Sequence, residues 1–276
     1  MQFAYNYQIE HPVGVFLWKR LHFPILKKGF ITMSAIILGH KHPDTDSIVS
    51  AIACTDLYRQ RGLDVKAAAQ GTPAPETAFV LERFGLQAPE VVTSVAGKDV
   101  YIVDYSDLNQ APDDFKDCTL KGIVDHHKLG DMTSSAPLEI VIMPVGCTNT
   151  ILKRMYDYLG FVPPKNIAGA MLCAILSDTV IFKSPTCTPA DKAAAAELAE
   201  IAGIKDIEAL GMELFTAKSA VKGVAARDLI MRDFKDFNMS GSKVGIGQLE
   251  LVDLKLLEDR IPELLADLAA LKAEGR

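Results

Sequence analysis

Residues 34–47 read SAIILGHKHPDTDS, an apolar run of strand length followed at once by a loop rich in histidine and aspartate. Residues 47–61 then carry apolar side chains at helical spacing, so the stretch predicts a strand that leads into a helix. Two further apolar runs end in the same way: VYIVD ends at Asp104, and GIVD ends at Asp125, directly before His126 and His127. Because the carboxyl ends of strands in an open parallel α/β sheet line one crevice, we expect these side chains to meet in space.

Strand-like and helix-like segments alternate along residues 33–218. Further strands are predicted at 65–69, 100–104 and 122–125, and helices at 76–84, 148–159, 166–176 and 189–202. This order predicts an α/β fold with a doubly wound, mainly parallel sheet.

A second, small α/β domain is predicted for residues 219–276. Two strands at 234–239 and 243–251 flank a glycine-containing turn, which indicates a hairpin, and 254–272 predicts a long amphipathic helix. Because so few elements are a thin basis for an independent core, we expect this domain to be incomplete.

Residues 1–32 differ from the rest of the chain. They are rich in aromatic residues, contain Pro12 and Pro24, and have lysine and arginine within and after their apolar stretch. That arrangement fits neither a secretory signal nor a membrane span, so we expect a dispensable leader or a misassigned start.

Composition narrows the functional classes. The 276 residues are 49% hydrophobic and carry a net charge of -6 without a dominant basic run, which argues against nucleic-acid duplexes and anionic membranes as partners. The 5 cysteines lack CxxC spacing, which argues against a disulfide framework and against a thiolate zinc site. They are typical of small core residues in a reducing, cytoplasmic compartment.

The histidines and aspartates at the predicted strand and helix ends are candidate metal ligands. Taken singly, Asp46 could cap a helix, Asp104 could be a turn residue and Asp178 could end a helix in solvent. Together they give two imidazoles and four carboxylates: His40, Asp44, Asp46, Asp104, His126 and Asp178. Such a set exceeds the needs of one ion and suits two ions about 3.5–4 Å apart that share a carboxylate. Oxygen ligands with some imidazole favour manganese, with cobalt, iron, zinc or magnesium as competitors.

Six motifs occur along the chain in this order: GHKHPDTDS, VDYSD, IVDHH, PVGCTNT, SDTVIFKSPTCT and DFKDF. From about Met33 onward they resemble the DHH phosphoesterase superfamily and, within it, the manganese-dependent family II inorganic pyrophosphatases. The DHH motif alone is shared with exonucleases and cyclic-dinucleotide phosphodiesterases, whereas the SDTVIFKSPTCT and PVGCT segments point much more narrowly to the pyrophosphatases.

The resemblance implies a role for each candidate. His40, Asp44 and Asp104 would hold one Mn²⁺ ion, and Asp46, Asp104, His126 and Asp178 the other, so that Asp104 bridges them. His127 would act on the substrate as an acid or as a hydrogen-bond donor to phosphate. Lys235, which lies in the second domain, would contact phosphate. Without the motif, we would interpret Lys235 as a solvated residue of an edge strand.

The reaction implied by the family is hydrolysis of pyrophosphate to two orthophosphates by a water that two metal ions activate. Mn²⁺ would be the cofactor, with Co²⁺ or Mg²⁺ as substitutes, and the family implies a homodimer formed through the N-terminal domain. The net charge of -6 predicts no nucleic-acid and no membrane partner.

Some features depart from the family pattern. His42 stands where the family often has asparagine, Tyr105 follows Asp104 where a histidine is usual, and the sequence given ends at Arg276, before a basic Arg-Lys-Lys-type motif. Cations near a transferring phosphoryl group contribute strongly to catalysis, so the missing basic motif predicts impaired hydrolysis of pyrophosphate. Two alternatives remain: a DHH-type phosphodiesterase acting on short oligonucleotides or cyclic dinucleotides, and a metal-binding remnant without turnover.

Overall fold

The computed structural model describes residues 34–219, 221, 223–232, 234–249, 251 and 254–275. These residues belong to one compact unit. The leader predicted for residues 1–32 lies outside the described residues. The division between residues 218 and 219 stays a prediction.

Six parallel strands form the central sheet, in the order β3-β2-β1-β4-β5-β6. Their bounds are β1 Ala35–Leu38, β2 Val65–Ala69, β3 Glu90–Val91, β4 Asp99–Val103, β5 Thr119–Asp125 and β6 Glu139–Ile142. β1 pairs with β2 on one side and with β4 on the other, so the direction of winding reverses there. The predicted doubly wound α/β sheet is confirmed, and the crevice at this reversal is where such folds bind ligands.

Helices connect these strands and follow the last of them. Their bounds are α1 Thr45–Gln60, α2 Pro75–Arg83, α3 Thr148–Leu159, α4 Lys165–Asp178, α5 Pro189–Ala202 and α6 Ile207–Lys218. α4 is buried from Ile167 to Ser177, which explains its nearly all-apolar sequence. Gly169 lets α2 approach α4, because a Cβ atom there would lie 2.1 Å from the Phe84 ring. Neither α6 nor the two-residue strand β3 has a counterpart among the elements predicted from the sequence.

The C-terminal segment contains α7 Ala226–Ile230, an antiparallel hairpin of β7 Phe234–Met239 and β8 Ser242–Gly247, and α8 Ile261–Ala273. The hairpin is confirmed, although β8 is shorter than predicted.

The long helix predicted at 254–272 is wrong in its first part, where the chain forms two short 3₁₀ turns, Leu254–Leu256 and Glu258–Arg260. Pro262 lies in the first turn of α8. Proline has no N–H to donate and its ring clashes with the preceding turn, so a helix starts at this position instead of passing through it. In the part of the chain that the structure describes, no helix combines the length and the apolar character needed to cross a membrane.

Candidate functional site

The candidate metal ligands meet at the carboxyl ends of β1, β4 and β5. Their ligand atoms form three groups, each with all atoms within 4.8 Å of one another: His40, Asp44 and Asp104; Asp104, His126 and His127; and Asp46, Cys147 and Asp178. The structure therefore brings together all the side chains predicted as ligands, as well as His127. Asp104 belongs to two of the three groups.

Asp104 occupies the centre of the cluster. Its carboxylate lies 3.4 Å from Nε2 of His40 and 3.4 Å from Nε2 of His126, through different oxygens. The residue follows β4 directly and has a φ of 68°, in the left-handed region that aspartate and asparagine tolerate better than most residues. This backbone conformation turns the chain at the end of β4, next to both imidazoles.

Hydrogen bonds to main-chain carbonyls fix which nitrogen each imidazole offers. Nδ1 of His40 lies 2.7 Å from the carbonyl oxygen of Lys41, and Nδ1 of His126 lies 3.0 Å from that of Val145. Because a carbonyl can only accept, each Nδ1 carries the proton. Each Nε2 therefore faces the carboxylates, as in histidines whose second nitrogen binds a metal.

Asp44 has a structural role as well. Its Oδ1 accepts a hydrogen bond of 2.9 Å from the backbone N–H of Ser47, which caps α1, and lies 3.5 Å from Nε2 of His40. Asp44 is the N-cap residue and Asp46 lies in the first turn, so capping, the alternative role considered for Asp46 taken singly, falls to Asp44.

Asp46 is buried in a ring of hydrogen-bond donors at the start of α3. Oδ1 accepts from Nδ2 of Asn149 at 2.6 Å and from the thiol of Cys147 at 3.1 Å. Oδ2 accepts from the backbone N–H of Thr148 at 2.8 Å, and the hydroxyl of Thr148 donates to Asp104 at 3.0 Å. Thr148 thus donates hydrogen bonds to two of the carboxylates.

Cys147 places a thiol beside the predicted ligands. The cysteines were expected to be small core residues, because none has CxxC spacing. The Cys147 side chain is buried and belongs to the same group as Asp46 and Asp178. A sulfur atom therefore lies at the edge of an otherwise oxygen-rich and nitrogen-rich cluster.

The charges of the cluster favour a bound cation. Burial and the charge of Asp104 raise the pKa of Asp46 to about 6, and burial with the neighbouring carboxylates raises the pKa of Asp178. Burial alone would lower the pKa values of the two imidazoles, but the adjacent carboxylates outweigh it: the pKa of His126 is raised to about 10 and that of His40 well above its usual value. Burial opposes ionisation of Asp104 too, yet its hydrogen bonds with His126 and His40 lower its pKa. Carboxylates that repel one another and imidazoles that retain protons both indicate a shortage of positive charge, which divalent ions would supply.

His127 and Lys235 lie differently from the predicted ligands. Nδ1 of His127 lies 2.9 Å from Oδ1 of buried Asp125, while the imidazole is 55% exposed. Its ring is therefore held at one nitrogen and open to solvent elsewhere. Lys235 is exposed on β7, and no residue of the described hairpin belongs to the three groups.

Comparisons with known proteins agree with this architecture. Residues 34–175 match the family model of the DHH family N-terminal domain, and residues 212–276 match that of the DHHA2 domain. An Archaeoglobus fulgidus protein assigned to the manganese-dependent inorganic pyrophosphatases is 47% identical over 87% of this chain and 78% of its own length. The manganese-dependent inorganic pyrophosphatase of Methanothrix thermoacetophila is 44% identical over 86% of this chain and 77% of its own length.

A solved structure is similar over the same extent. The crystal structure of a Methanococcus jannaschii protein described as a family II inorganic pyrophosphatase superposes with a TM-score of 0.76 at 42% identity, covering 87% of this chain and 80% of that one. The match covers more than two thirds of the length of each of these three relatives. The chain belongs to the DHH family and, within it, to the manganese-dependent inorganic pyrophosphatases.

Proposed function

We propose that this protein hydrolyses inorganic pyrophosphate to two orthophosphates, with Mn²⁺ as its cofactor. Membership of the family supports the activity. The observation that carries the proposal is the position of Asp104, whose two carboxylate oxygens each lie 3.4 Å from a different imidazole Nε2 atom. A carboxylate that serves two sets of nitrogen and oxygen donors suits a pair of ions acting on a phosphoanhydride.

The ligand sets proposed for the two ions follow the groups in the cluster. His40, Asp44 and Asp104 would hold one Mn²⁺, and Asp46, Asp104, His126 and Asp178 the other. Bound there, the ions would act as Lewis acids towards phosphoryl oxygens and lower the pKa of water. Co²⁺ or Mg²⁺ could replace Mn²⁺, because both accept oxygen-rich ligand sets.

His127 is proposed to deliver a proton or a hydrogen bond to the phosphate. Oδ1 of Asp125 accepts a hydrogen bond of 3.0 Å from the backbone N–H of His127. The same oxygen lies 2.9 Å from Nδ1 of the His127 ring. This carboxylate raises the pKa of His127, so the ring keeps its proton more readily near neutral pH. Lys235, which lies on β7 of the hairpin, is proposed to bind phosphate.

We propose a cytoplasmic location, a homodimer formed through the N-terminal domain, and a boundary near residue 218 between the two domains. The expected impairment and the two alternative functions find no support in the comparisons.

A turnover assay tests the proposed function. The full chain is incubated with pyrophosphate or with a cyclic dinucleotide, with and without Mn²⁺, and released orthophosphate and linear nucleotide are measured. We expect orthophosphate from pyrophosphate only when Mn²⁺ is present, and a large loss of kcat in His127→Gln without loss of Mn²⁺ binding. Cleavage of the dinucleotide but not of pyrophosphate would favour the phosphodiesterase, and Mn²⁺ binding without any turnover would favour the remnant.

A further inference from the structure

Asp191 is a buried carboxylate outside the predicted ligand set. It lies in the first turn of α5 and its residue is fully buried. Oδ2 accepts hydrogen bonds from the backbone N–H and the hydroxyl of Thr188, both at 2.7 Å, and from the backbone N–H of Gly146 at 2.9 Å. Oδ1 accepts from the hydroxyl of Thr150 at 2.6 Å. Each carboxylate oxygen therefore has partners, and two of those partners lie on a distant part of the chain.

Two of these partners bracket the residues that hold the metal cluster. Gly146 precedes Cys147, and Thr150 follows Asn149. The three residues between them donate to Asp46, and Thr148 also donates to Asp104. Asp191 thus accepts hydrogen bonds from the residues on either side of Cys147, Thr148 and Asn149, the three donors that orient two of the proposed ligands.

Close packing leaves Asp191 little freedom to move. A Cβ atom at Gly146 would lie 3.0 Å from Oδ2 of Asp191 and 2.8 Å from Cγ2 of Thr179. Thr179 directly follows Asp178, the proposed ligand at the end of α4. The Asp191 carboxylate, the Gly146 backbone and the chain leaving Asp178 are therefore in direct contact, and a glycine is needed at their junction.

Helix capping explains only part of this arrangement. A capping box at the start of α5 requires the reciprocal bonds between Thr188 and Asp191. The bonds to Gly146 and Thr150 span 45 and 41 positions and contribute nothing to that cap. Burying a carboxyl group would be costly without such hydrogen-bond partners, and these two contacts also hold the 146–150 segment in place.

We propose that Asp191 is a positioning residue for the metal centre: through Gly146 and Thr150 it fixes the donors that orient Asp46 and Asp104. The inference rests on the proposed function, since it concerns the geometry of the same Mn²⁺ ligands. It makes Mn²⁺ affinity depend on a side chain that contacts none of the ligands directly. Partners of this kind typically change metal affinity or activity by about 10–100-fold.

The test measures Mn²⁺ binding by electron paramagnetic resonance, in which free aqueous Mn²⁺ gives a sharp six-line signal that binding broadens. Asp191→Asn keeps the size of the side chain but replaces one acceptor oxygen by a donor that opposes its partners. Thr150→Val is milder, because it removes only the bond to Oδ1. Asp206→Asn is the matched control: Asp206 caps α6 by accepting from the N–H of Ala209 at 2.9 Å and is exposed.

We expect the Mn²⁺ dissociation constant to rise about 10–100-fold in Asp191→Asn and by a smaller factor in Thr150→Val, and to stay unchanged in Asp206→Asn. Thermal unfolding is followed in parallel, and folded Thr150→Val keeps the test valid if Asp191→Asn does not fold. Unchanged dissociation constants in the folded variants, with only the unfolding temperature lowered, would overturn the inference. If the unaltered chain bound no Mn²⁺, the proposed function itself would fail, and with it the inference.

Discussion

Asp104→Asn is expected to remove tight binding of both Mn²⁺ ions. Asparagine keeps one carbonyl oxygen and tolerates the left-handed φ of 68°, so the backbone is retained, but the charge shared by His40 and His126 is lost. Residues beyond the ligands already account for about 10–100-fold in metal affinity. A ligand common to both sites should therefore cost each ion at least about 100-fold, or roughly 2.8 kcal/mol.

Two measurements check this expectation. Calorimetric titration with Mn²⁺ gives the number of tight sites, and nuclear magnetic resonance of the metal-free variant gives the imidazole pKa values, which should fall once the Asp104 charge is gone. Asp114→Asn is the control, because Asp114 also accepts hydrogen bonds, from the backbone N–H groups of Val95 and Ala96, but belongs to none of the three ligand groups. Two tight Mn²⁺ sites in Asp104→Asn, with affinities equal to those of the unaltered chain, would refute the proposed bridge.

Lys235→Ala should raise KM for pyrophosphate by about 10-fold or more without changing Mn²⁺ affinity, whereas Lys243→Ala on β8 should leave both unchanged; equal effects would exclude a specific contact. Because a proton on Nε2 of His126 competes with the metal, Mn²⁺ affinity should rise with pH until about pH 10, with proton release visible by calorimetry in buffers of different ionisation enthalpy. In the metal-free protein, the raised pKa of His126 contributes stability that is complete below 6.5 and is lost as the pH rises to about 10, so the unfolding temperature should fall over that interval. Cys147→Ala should weaken Cd²⁺ binding more than Mn²⁺ binding, because thiol sulfur prefers softer ions; equal losses would place Cys147 outside the ligand sphere.

Local pattern was sufficient to predict most of the sheet domain. The apolar run before His40 and the helical spacing after it are determined over short stretches, and parallel strands buried on both faces give continuous apolar runs. The failures have local causes as well. The helix predicted from residue 254 runs through Pro262, where a helix starts instead. The two residues of β3 are too few to produce a periodic signal.

The meeting of His40, Asp104 and His126 was predictable because strand ends in this fold share one crevice, whereas Asp178 reaches the cluster from the end of α4. The donors around them were not predictable in this way. Cys147 lies 101 positions from Asp46, and its contact arises only when α3 packs beside the start of α1. Asp191 has the same character, because its partners on the α3 segment are set by tertiary packing and not by spacing along the chain.

The strands that carry the cluster, β1, β4 and β5, lie in the interior of the sheet, while β3 and β6 form its edges. Native proteins open locally with free energies that range from near zero at frayed ends up to the global value in core strands. The two Mn²⁺ ions should therefore be lost only when the domain unfolds. Fraying of the edge strands β3 and β6 should leave metal binding intact. Added Mn²⁺ would then slow amide exchange in every strand that exchanges by global unfolding, by a common factor set by ion concentration and affinity.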